Sequence, residues 1–192
     1  MESGNEKRVV LGITGASGIA YALRTAEMLV SGGCRIYCAI TDAAKLVAES
    51  EIEGGLAAQL KNSGVDHIYG ERDFSAPIAS GSFYFDAMAI VPCSMKTLGK
   101  TANSIADNIV VRAAEVALKE RRRLVVVPRE TPLAATHLRN MLALAEAGAV
   151  VLPAVPAFYT KPKTVADIVD FVAARVVAAM GFRHNFLREW GK

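Results

Sequence analysis

The chain predicts an α/β protein built on one doubly wound parallel sheet with helices on both faces. Three observations lead there. Short β-branched runs alternate with helix-length stretches along nearly the whole sequence. The strand-like runs are apolar at successive positions, as in strands covered on both sides. The 192 residues, 52% of them hydrophobic, suffice for one domain with a full core.

Taken in order, the first strand is expected at Val9–Ile13 and the first helix at Ile19–Ser31. Arg35–Thr41 reads as the next strand and Ala43–Ser50 as the next helix. Glu53–Ser82 is less regular, with a short helix, a short strand near His67–Tyr69 and a long polar loop. Ala87–Pro92 is a strand, Ile105–Glu120 a helix, and Leu124–Pro128 a strand. Ala134–Ala147 is a helix, Val150–Val155 a strand, and Val165–Met180 the last helix. A βαβαβ order with right-handed crossovers gives the doubly wound sheet. There is no repeat, linker or low-complexity tract. The expectation is a single domain over 1–192, with 181–192 a short tail carrying the one tryptophan, Trp190.

Composition narrows the function classes. A net charge of +3 is too small to demand a nucleic-acid partner. No apolar run reaches the length of a membrane-spanning helix; the longest, Ala147–Tyr159, is broken by Pro153 and Pro156. Met1–Arg8 is polar, without a signal-peptide apolar core. Cys34, Cys38 and Cys93 lie in apolar runs, which reads as buried reduced thiols in a cytoplasmic protein. His67, His137 and His184 are scattered without metal-ligand spacing, so no metal site is expected. The high apolar content (mean hydropathy +0.28) points to deeply buried strands or to surface hidden between subunits.

In open α/β sheets ligands bind beyond the carboxyl ends of the strands. The residues found there are Thr14–Gly18, Thr41-Asp42, Cys93–Thr97, Arg129–Thr131 and Phe158-Tyr159. Small residues and hydroxyls dominate the first three groups, ionic groups the fourth. That distribution suits an anionic, partly aromatic ligand. Gly12, Gly15 and Gly18 precede a helix with GxxGxxG spacing, a turn that lets backbone approach a phosphate with helix amides behind it. The GxGxxG of dinucleotide sites is absent. Thr41 and then Asp42 stand where a ribose-binding acid would end the second strand, which favours a mononucleotide. A tight turn needing glycine only for its backbone angles is the plain alternative. Ser94 and Thr97 offer hydroxyls to phosphate or ring atoms; an ordinary helix N-cap is the alternative.

Arg112 and Lys119 lie seven residues apart and share a helix face, with Glu115 between them to form an ion ladder instead. The run Arg121-Arg122-Arg123 reads as solvation and helix-dipole complementation, with no ligand assigned. Arg129-Glu130 ends a buried strand: the arginine can fork onto phosphate and the carboxyl can exchange protons. A surface salt bridge is the alternative. Arg175, within the apolar stretch Ile168–Val177, can reach solvent along its stem.

Taken together, Gly12–Gly18, Ala79–Ser82, Pro92–Leu98, Asp107-Asn108, Arg112–Arg122, Val127–Pro132 and Pro156–Tyr159 resemble, in order and spacing, the UbiX/Pad family of flavin prenyltransferases. Thr41 replaces a serine expected in many members and keeps the hydroxyl. The resemblance implies a Rossmann-like three-layer sandwich that binds FMN and assembles as a homododecamer. It implies transfer of a dimethylallyl group from dimethylallyl phosphate to N5 and C6 of reduced FMN, giving a prenylated cofactor for a UbiD-type decarboxylase. Gly15, Ala16, Ser17, Thr41, Ser94, Met95, Lys96, Thr97 and Arg129 are then expected around FMN. Tyr159, Arg175, Arg112, Lys119 and Trp190 are expected around the prenyl donor, some from a neighbouring subunit. Ser17, Glu51 and Glu130 are candidates for proton handling.

Two rivals share the flavin. A flavin-dependent decarboxylase of cysteine-type or aromatic-acid substrates is one. For the cysteine type, the place of His67 in an irregular segment and the turn Pro92–Lys96 argue against it. A non-catalytic flavin carrier needs one phosphate site, whereas Arg112, Lys119 and Arg175 argue for a second anion.

Overall fold

A computed structural model describes residues 7–182. Six strands form one parallel sheet in the order β3-β2-β1-β4-β5-β6. They are β1 (Arg8–Ile13), β2 (Arg35–Ile40), β3 (His67–Gly70), β4 (Ala87–Cys93), β5 (Arg123–Pro128) and β6 (Val150–Val151). The helices are α1 (Ile19–Ser31), α2 (Asp42–Glu51), α3 (Leu56–Asn62), α4 (Met95–Ala102), α5 (Ile109–Lys119), α6 (Ala135–Glu146) and α7 (Val165–Ala179).

The two-residue side-chain period of a strand splits the core. Val9, Leu11 and Ile13 of β1, with Ala87, Ala89 and Val91 of β4, pack beneath α1, α2, α3 and α7. Val10, Met88, Ile90, Leu124 and Val126 point the other way, toward α5, Leu98 of α4 and Leu144 of α6. The four inner strands are thus apolar at successive positions because a helix layer waits on either side. No helix among the described residues is long and apolar enough to cross a membrane.

The expected order of elements holds, with three differences. The helix expected at Ile105–Glu120 begins only at Ile109, where the Asn108 side chain accepts the Val111 N–H. Ahead of it stands α4, an additional helix that starts where Ser94 caps the chain. The strand expected at Val150–Val155 shortens to two residues. Leu152 N–H still donates to Val126 and Ala154 N–H to Pro128. Pro153 between them turns its nitrogen away from β5, toward the open edge, where no ladder bond is lost.

Candidate active site

The strand order reverses between β1 and β4, with β2 and β3 on one side and β5 and β6 on the other. Loops leave that point in opposite directions and open a crevice. The buried Thr14, one residue beyond β1, ties its walls together. Its hydroxyl donates to the Pro92 carbonyl (2.8 Å) and accepts from the Ser94 N–H (2.8 Å). Arg129, one residue beyond β5, donates from Nε to the Ser17 carbonyl at 3.1 Å. Thr41, one residue beyond β2, donates its N–H to Ile13 at 3.0 Å. Ser17, Thr41, Ser94 and Arg129, expected to act together, therefore lie along one edge of the sheet.

Gly12, within β1, and Gly15, in the loop that follows, have packing reasons. A Cβ on Gly12 would stand 2.7 Å from Val110 Cγ1, and one on Gly15 would stand 2.5 Å from Ala43 Cβ. Gly18 adopts φ +109°, a left-handed conformation that suits glycine. Gly12 thus lets α5 approach β1, and Gly15 lets α2 approach the first loop.

Three helix N-termini meet this edge, and each is satisfied differently. At α1 the carboxylate of Glu51 accepts the N–H groups of Gly18 (3.0 Å) and Ile19 (2.8 Å). At α2 the hydroxyl of the buried Thr41 accepts the Ala44 N–H, and Glu71 accepts the Asp42 N–H at 3.1 Å. At α4 the Ser94 hydroxyl accepts the Thr97 N–H at 3.3 Å and lies 3.1 Å from Thr97 Oγ1. The N–H groups of Met95 and Lys96, which begin that helix, find no acceptor among the described residues. At the glycine turn, the amides of Gly18 and Ile19 hold the chain's own Glu51 carboxylate. The donor set that fits an added anion is at α4, where open amides, two hydroxyls and the exposed Lys96 coincide.

Glu130 is exposed, and its Oε1 accepts the Thr131 N–H at 3.0 Å. With Arg129, Met141 and Val155 it borders an open cleft of about 320 Å³ beside α6. Arg129 also lies near Tyr21, whose hydroxyl is pushed above its ordinary range by burial, an effect the guanidinium opposes. Cys93, at the end of β4, is wholly buried, and burial pushes its thiol up to about 12.

The remaining candidates are not gathered within one copy of the chain. Arg112 and Lys119 project from α5, on one face of the sheet, and of the ion ladder weighed as an alternative only the Arg112–Glu115 half forms. Arg112 Nη1 lies 3.3 Å from Glu115, and Lys119 pairs with Glu120. Arg112 also donates from Nε to the Ala79 carbonyl at 3.0 Å. Arg175 is exposed on α7, on the opposite face. Tyr159, 51% exposed, meets Phe171 of that helix edge-to-face at 6.1 Å. Trp190 lies outside the described residues. The tri-arginine run is a correction. Arg122 is half-buried and donates to the Phe83 and Gly81 carbonyls, both at 2.7 Å, so it serves the fold as well as the solvent. The sequence placed Thr14 among the hydroxyl groups at the strand ends but gave it no tie across the crevice; its hydroxyl within the glycine-rich turn was the available signal.

The geometry can be set beside known proteins. A flavoprotein family model matches residues 1–177. The flavin prenyltransferase UbiX of Thermoplasma acidophilum is 49% identical over 183 residues, spanning 95% of this chain and 99% of the relative. The crystal structure of AnUbiX in complex with FMN and dimethylallyl pyrophosphate superposes with a TM-score of 0.93 at 35% identity, covering 98% of this chain and 99% of that one. A dodecameric FMN-dependent UbiX-like decarboxylase from Escherichia coli gives a TM-score of 0.88 at 40% identity over 92% of this chain and 96% of its own. With that breadth of agreement added to the crevice at the switch point, the chain belongs to the flavoprotein family and, within it, to the UbiX flavin prenyltransferases.

Proposed function

We propose that this protein joins the dimethylallyl group of dimethylallyl phosphate to N5 and C6 of reduced FMN, releasing phosphate, and that the prenylated product serves a UbiD-type decarboxylase. The observation that carries the reading is the open, hydroxyl-lined N-terminus of α4 set beside Arg129 at the switch point. Its context is a chain aligned along its length with UbiX relatives, one solved with FMN and a dimethylallyl donor. Reduced FMN supplies the nucleophilic ring, so no reactive serine or cysteine is required of the protein.

The chain's own residues do three things. Ser94, Met95, Lys96 and Thr97 hold the phosphate end of FMN, with Thr41 and Arg129 beside them; Gly15, Ala16 and Ser17 form the floor. Arg112, Lys119, Tyr159 and Arg175 receive the phosphate of the donor, where cations stabilise charge developing on the leaving oxygen. Because α5 and α7 lie on opposite faces, this second set is completed between copies in a homo-oligomer. The dodecameric relative supports that arrangement. Glu130, Ser17 and Glu51 handle protons: an acidic group protonates the leaving phosphate and a basic one accepts the proton lost from the ring.

The test is anaerobic incubation of the protein with reduced FMN and dimethylallyl phosphate, read by mass spectrometry of the released flavin. A flavin heavier by one five-carbon unit is expected. An unchanged flavin, in a sample that binds both molecules, favours the carrier instead.

A further inference from the structure

We infer that Arg122 is a positioning residue for the donor-binding cations of α5, acting through the loop Ala79–Phe83. The inference rests on the reading of Arg112 and Lys119 just given. Helix α5 ends in a reversal in which Arg121 N–H donates to Leu118 (3.1 Å) and Arg122 N–H to Ala117 (2.8 Å). Arg121 takes φ 57° at the position usually given to glycine. This reversal folds Arg122 back beside the helix end. Its guanidinium lies 4.4 Å from the Phe85 ring centroid and 5.4 Å from that of Tyr84. From there Nη1 and Nη2 fork onto the carbonyls of Phe83 and Gly81.

The loop so held touches both cations. Ala79, two residues before Gly81, offers its carbonyl to Arg112 Nε. Gly81 itself lies against the Lys119–Glu120 pair; a Cβ there would stand 2.8 Å from Lys119 Nζ and closer still to Glu120 Oε1. With Glu115 as its other partner, Arg112 uses two of five N–H donors and keeps the rest for an anion. Arg122 therefore fixes the loop, and the loop fixes the direction of Arg112 and the seat of Lys119. A lysine at 122 keeps the charge but has no planar fork to span two carbonyls.

The experiment uses the FMN-loaded assembly and titrates dimethylallyl phosphate by calorimetry, beside steady-state kinetics and a thermal melt. Arg122→Lys is expected to raise both Kd and KM for the donor about tenfold while kcat and FMN affinity stay within about twofold. Gly81→Ala is the second variant. Its added methyl meets the flexible ends of two side chains rather than backbone, so the fold persists while Lys119 is displaced, and a similar rise in Kd is expected. Arg112→Ala is the reference. If it weakens donor binding while Arg122→Lys and Gly81→Ala leave Kd unchanged, the positioning role is overturned. If Arg112→Ala itself leaves Kd unchanged, the assignment of Arg112 fails and the inference falls with it. Should Arg122→Lys not fold, Gly81→Ala decides alone.

Discussion

Helices α1 and α4 begin at the same edge of the sheet, after neighbouring strands, yet their first amides meet different fates. Those of Gly18 and Ile19 are taken by Glu51, carried in from the end of α2. Those of Met95 and Lys96 have only a serine hydroxyl nearby, engaged with Thr97. A glycine-rich turn is the more conspicuous signal in the sequence, and its glycines also admit close helix packing. The serine-capped turn after β4 is less conspicuous, and it retains donors for an anion. A helix N-terminus is a ligand site only to the extent that the protein has not already supplied the anion.

Substitutions can break this contrast. The largest effect is expected at Gly15→Ala. The new methyl would press on the Cβ and the backbone of Ala43, forcing α2 away from the first loop. A loss of about 1–3 kcal/mol in stability is expected from such overpacking, read by denaturant unfolding, together with loss of bound flavin. Next comes a pair. Glu51→Ala leaves two helix amides without their carboxylate and is expected to lower stability by about 1–2 kcal/mol, with FMN affinity nearly unchanged. Ser94→Ala is expected to lower stability by about 1 kcal/mol but to weaken FMN binding about tenfold, as fluorescence titration would show. Reversed flavin effects in the pair would move the phosphate back to α1.

A smaller effect sharpens the picture of the floor beneath α4. Burial holds the Cys93 thiol neutral well past its ordinary value of 9.0, to about 12. The unfolded chain ionises this thiol first, so the folded state keeps its full contribution below pH 9 and loses it as pH climbs toward 12. Parent protein is therefore expected to lose more stability than Cys93→Ala between about pH 8 and about pH 11. Equal alkaline losses would mean that the thiol is not sealed in the core.

Much of this architecture was legible without coordinates, for reasons that particular residues show. Val9–Ile13 and Leu124–Pro128 are apolar at successive positions because helices cover both faces, and that pattern survives in one dimension. The loops after the strands could be named for the same reason, since a parallel sheet delivers every strand end to one edge. Ser94 and Thr97 were legible as a cap by spacing alone. The start of α5 was not, because Ile105–Glu120 is helix-compatible throughout and only the Asn108 side chain decides where it begins.

Local chemistry thus determined the fold class, the strands' double burial, the thiols' seclusion and the list of polar groups at the carboxyl edge. Tertiary structure decided what those groups are committed to. It sent Glu51 to α1 and left α4 open. It placed Arg112 and Arg175 on opposite faces of one sheet, and it turned Arg122 from a solvated charge into a clamp on the loop at Gly81. The physical reason is distance along the chain: propensity and periodicity act over a few residues, whereas the bonds of Thr14 to Pro92 and of Arg129 to Ser17 join positions 78 and 112 apart.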